Sequence, residues 1–80
     1  MDEDLAQAIM QALRRAREPV LESVLYERVR PDRAGAPTPA HFLAVLERLL
    51  TLGRIRVSVE REPRMRAEPP FQTRYYRSAD

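Results

Sequence analysis

The chain has no cysteine, no lysine and no asparagine, only two glycines and a single histidine. Each absence removes a class of chemistry. Without cysteine there is no disulfide framework, no thiolate nucleophile and no thiolate metal ligand. Gly35 and Gly53 stand far apart, so no glycine-rich loop cradles a phosphate. His41 has Val45, not a carboxylate or imidazole, one helical turn on, and neither a metal nor a cofactor is expected. Ser23, Ser58 and Ser78 have no base beside them in sequence. The carboxylates are scattered among arginines at surface spacing, so the protein is not expected to be an enzyme. No run approaches the roughly 18 apolar residues of a membrane helix. Asp2, Glu3 and Asp4 have the wrong sign for the start of a signal peptide. A cytoplasmic protein without membrane attachment is the expectation.

Eighty residues, 44% hydrophobic and 32% charged, have the composition of one ordinary globular domain spanning 1–80. A chain of this length buries only about 60–65% of its unfolded surface. The formal charge of +2 is unevenly spread. Residues 1–50 hold seven arginines against eight acids, a balance of −1; residues 51–80 hold seven against four, a balance of +3. That every basic side chain is an arginine suits bidentate phosphate contacts, but a GC-rich coding bias is the plainer reading of it. Such a bias does not explain their position.

The first helix is expected over about residues 2–17. Asp2 is a candidate cap, Glu3 and Asp4 sit in the first turn, and Arg14, Arg15 and Arg17 in the last, matching the helix dipole at both ends. Leu5, Ala8, Ile9, Ala12, Leu13 and Ala16 form the apolar stripe, while Ala6 and Met10 fall beside it and read as spare surface for a homodimer contact. Pro19 interrupts the pattern. Residues 19–22 fit either a short extended segment or the first turn of a second helix, expected over about 20–30, with Ser23 as a candidate cap. A loop follows at 31–37, rich in proline, glycine and aspartate.

Thr38-Pro39 then pairs a cap residue with proline at the first helical position. Phe42, Val45, Leu46, Leu49, Leu50 and Leu52 recur at helical spacing, and Gly53 stops a third helix of about 39–52. From Arg54 the period changes to strict alternation through Glu60, and a second strand-like run covers 71–77, giving a hairpin over about 54–77. The predicted fold is α+β: three helices followed by a two-stranded antiparallel β-hairpin. Leu5, Ile9, Leu13, Leu25, Val29, Phe42, Leu46, Leu49, Ile55 and Val57 are expected in one core.

The run from Phe42 to Ile55, with its glycine exit, resembles the third helix of winged helix-turn-helix proteins. Thr73-Arg74-Tyr75-Tyr76-Arg77 resembles the closing wing strand of PadR-type and ArsR-type bacterial repressors. The resemblance implies a small winged helix that binds double-stranded DNA, in transcription regulation or as an accessory factor, and that pairs as a dimer. In such proteins the solvent face of the third helix, here Ala40, His41, Ala44, Glu47, Arg48 and Thr51, enters the major groove. That face offers few donors for base reading. The hairpin offers more: Arg54, Arg56, Arg61, Arg64, Arg66 and Arg74, which with His41 and Arg48 make up the expected DNA contacts. A protein-interaction module whose arginines meet an acidic partner remains the alternative reading.

Overall fold

The structure, a computed structural model, describes residues 2–30, 37–59 and 69–79. Its elements are α1 (Asp2–Arg15), β1 (Val20–Leu21), α2 (Glu22–Val29), α3 (Pro39–Thr51), β2 (Ile55–Ser58) and β3 (Tyr75–Ser78). No helix among the described residues is long and apolar enough to cross a membrane. Most of the expected loop at 31–37, and the hairpin tip with Arg61, Arg64 and Arg66, lie outside the described residues.

The sheet has three antiparallel strands in the order β1-β3-β2, not the two expected. Pro19 stops any helix, and Val20 and Leu21, both buried, extend along the free edge of β3, with Val20 opposite Tyr76 and Leu21 opposite Tyr75. This placement also explains how α2 begins. Its cap position is Leu21, whose side chain donates and accepts nothing, and Ser23 lies inside the helix rather than at its cap. The Glu22 N–H instead donates to the Arg74 carbonyl at 2.9 Å, so a neighbouring strand caps the helix.

Helix α3 is closed at both ends by local chemistry. The Thr38 hydroxyl accepts from the His41 N–H at 3.1 Å, and Pro39 occupies the first turn. At the other end Gly53 N–H donates to the Leu50 carbonyl and Arg54 N–H to the Leu49 carbonyl, each at 3.0 Å. These are the two bonds of a Schellman motif, which needs a left-handed residue, and Gly53 has φ 73°.

Of the expected core, Leu5, Ile9, Leu13, Leu25, Phe42, Leu46, Leu49 and Ile55 are buried, and Val29 packs half-buried against them. Two expectations fail. Met10 is 4% exposed, because α1 is flanked by α2, α3 and β3 and so buries a wider arc than one stripe; Met10 is therefore not spare surface, while Ala6 is half-buried. Val57 shares the inner face with Ile55 but is 40% exposed, and Val59 is 70% exposed. Val57 lies opposite the buried Tyr76, but on the edge strand β2, which has a neighbouring strand on one side only. At the opposite side of the core, Tyr26, Phe42 and Phe71 form an aromatic trio with centroids 5.1 to 6.2 Å apart. The Tyr26 hydroxyl donates to the Pro37 carbonyl at 2.6 Å and so holds the entry to α3.

Phe42 is wholly buried at the meeting point of α3 and this trio. Phe42→Ala should cost about 3–5 kcal/mol in urea unfolding. Gly53→Ala should cost about 1–2 kcal/mol. That cost would come from the backbone alone, since a Cβ there meets no atom within 4 Å. An alanine variant as stable as the parent would show that the helix exit can relax.

Candidate nucleic-acid interface

The arginines expected to meet DNA do not form one surface. Arg56 and Arg77 are directly opposite each other across β2 and β3, and both are exposed. Neither has a carboxylate within ion-pair distance among the described residues. They line a cleft of about 480 Å³ with Arg14, Arg17 and Glu18 from the end of α1. Arg54 and Arg48 lie elsewhere, in a groove of about 520 Å³ between α1 and α3 that they share with Glu3, Asp4 and the exposed Leu52. Arg54 and Arg14 also line one smaller depression along α1, so Arg14 stands between the two basic regions.

His41 is half-buried, and its backbone N–H serves the α3 cap. On the rest of the α3 solvent face Ala40, Ala44, Glu47, Arg48 and Thr51 are exposed. Glu47 approaches Arg74, its Oε1 lying 3.8 Å from the guanidinium. The helix face that would meet a groove is thus left with one exposed guanidinium, that of Arg48.

Arg74 has a structural task. Its guanidinium donates to Glu22 Oε1 at 3.1 Å, and Glu22 is wholly buried. The other Glu22 oxygen accepts from the Gln72 N–H at 2.7 Å, and Oε1 also accepts from the Tyr76 hydroxyl at 2.6 Å. Removing a carboxylate from water costs several kcal/mol unless its lone pairs are met. Here three donors from one segment meet it, and its place in the first turn of α2 adds the favourable end of the helix dipole. Burial, then the hydrogen bond to Glu22 and that carboxylate's charge, raise the Tyr76 phenol above its ordinary value; the Arg74 charge offsets this in part.

The sequence reading missed Glu22 and the contribution of Arg14 and Arg17. Glu22 follows two buried apolar residues in a segment whose conformation the pattern left open, and nothing in the chain marks it as enclosed. Arg14 and Arg17 carry a sufficient local explanation as the basic end of a helix. Their meeting with Arg56 and Arg77, about forty and sixty positions away, is tertiary.

Compared with family models, curated proteins and solved structures, the chain matches none.

Glu22→Ala should destabilise by about 3–5 kcal/mol, because it strands Arg74 and Tyr76. Tyr76→Phe should cost about 1–3 kcal/mol. The raised Tyr76 pKa has a definite sign. A phenol held neutral in the folded state contributes stability that is whole below its unfolded pKa of about 10 and is lost as pH rises above it. Urea midpoints should therefore fall in alkaline solution, and Tyr76→Phe should flatten that fall; an unchanged pH profile would rule out this group as its source.

Proposed function

We propose that this chain is a winged helix that holds duplex DNA through its backbone phosphates, as a transcriptional regulator or a DNA-associated accessory factor. The order helix, short segment, helix, helix and hairpin is that of the winged helix-turn-helix pattern, with β1 as the short segment. The observation that carries the reading is the opposed pair Arg56 and Arg77, exposed and without a carboxylate partner among the described residues. Like charges facing each other across strands repel, and a phosphate chain is the polyanion that such guanidinium groups fit. Arg54 precedes the same strand, and Arg61, Arg64 and Arg66 follow in sequence at the hairpin tip.

The character of binding follows from the α3 face. Two alanines, a glutamate engaged with Arg74, a half-buried histidine, a threonine and one arginine supply little to read base edges. Contacts then fall on phosphates, which position a protein without specifying sequence.

A second reading, a protein-interaction module, draws support from the exposed apolar side chains. Leu52 is 62% exposed, Val57 on the edge strand β2 is 40% exposed, and Val59 just beyond its end is 70% exposed. A partner strand or apolar surface would fit them.

Anisotropy titrations with a random-sequence duplex test the first reading. Affinity should fall with salt at a log–log slope of roughly −3 to −5, for four or five phosphates. Arg64→Ala combined with Arg66→Ala should weaken all duplexes alike and flatten the slope by about two units. Arg48→Ala and His41→Ala should matter less. Loss of binding on Arg48→Ala alone would make α3 the reader. Absence of binding at low salt would leave the protein-interaction reading.

A further inference from the structure

The cleft between the end of α1 and the β2–β3 sheet gathers positive charge from three elements. Four arginines, Arg14, Arg17, Arg56 and Arg77, line it, with Glu18 as the one acidic residue among its lining residues, a local balance of +3. The whole chain carries only +2. The helix dipole accounts for basic residues at the end of α1. It does not account for Arg56 and Arg77, which arrive from two other elements and sit opposite each other. Their side chains are exposed, so apolar packing does not account for them either.

We propose that this cleft seats backbone phosphates of the bound duplex, so that the end of α1 joins the hairpin in holding DNA on a surface that α3 does not share. The inference rests on the DNA-binding reading above and names the place of contact. The volume of about 480 Å³ lies within the range of ligand clefts, roughly 300–1,000 Å³. The guanidinium fork matches phosphate oxygens in pairs and stays charged at any working pH. An anion between Arg56 and Arg77 turns their cross-strand repulsion into shared attraction. The geometry also separates this contact from the groove holding Arg48, where Glu3 and Asp4 already supply negative charge.

The test compares three variants of the full chain by duplex anisotropy at about 50 mM and about 200 mM salt. Arg17→Ala with Arg77→Ala should lower affinity roughly 10- to 100-fold at the lower salt and flatten the slope by about two units. Arg15→Ala with Arg28→Ala removes the same charge from exposed positions outside the cleft and should cost much less. Glu18→Gln removes the cleft's one carboxylate and should tighten binding, a change that a damaged fold would not produce. Equal urea midpoints confirm that the exposed substitutions leave the fold intact. If the two double variants weaken binding alike, the effect is diffuse charge and the cleft is not a site. If the parent binds and Arg17→Ala with Arg77→Ala binds equally well, the cleft fails while the DNA reading stands. If the parent itself does not bind at the lower salt, both fall together.

Discussion

A single buried carboxylate organises the sheet and its helices. Glu22 begins α2, yet its partners, Gln72, Arg74 and Tyr76, all lie about fifty residues later, in and just before β3. Because each donor sits at a fixed step along an extended chain, only one register of β3 satisfies all three. Hydrophobicity leaves that register weakly specified, since Tyr75 and Tyr76 are adjacent and a one-residue slip would exchange them. The carboxylate removes the ambiguity: Tyr76 reaches it and is buried, and Tyr75 takes the opposite face beside Leu21. The same segment caps α2 through the Arg74 carbonyl. Glu22 therefore sets the strand register, and the backbone bond beside it starts the helix.

That arrangement divides the arginines by task. Arg74, although it lies in the basic hairpin, serves Glu22 and reaches toward Glu47 on α3. Arg30 pairs with Glu27 and lies over the Tyr26 ring. Surface pairs of this kind are worth little, so most of the stabilisation rests on the core and on the Glu22 cluster. Arg56 and Arg77 remain outward because β3 is the middle strand and its register puts Arg77 opposite Arg56. The same register that buries Tyr76 therefore creates the charged pair on which the proposed DNA contact depends.

Much of the fold was legible in the chain. Thr38-Pro39 and Gly53 mark the limits of α3 because capping is local chemistry, and the apolar spacing of Phe42, Val45, Leu46 and Leu49 names its buried face. Alternation after Arg54 locates β2. A short extended segment after Pro19 was one of two readings the chain allowed, but its pairing with β3 was not legible, since two residues carry no periodicity. Nor was the burial of Met10, which depends on how many neighbours surround α1, or the exposure of Val57, which depends on β2 being an edge strand.

The sequence by itself determined the three helices, the two later strands, their order, the caps of α3 and the excess of positive charge near the C-terminus, because each of these arises from residues within a turn or a strand of one another. Only the tertiary structure decided which charges are enclosed and which converge. Glu22 meets its donors, and Arg14 and Arg17 meet Arg56 and Arg77, across separations that no local pattern encodes. Packing brings them together: once the helices and the sheet share one core, the positions of their polar side chains relative to one another are no longer free.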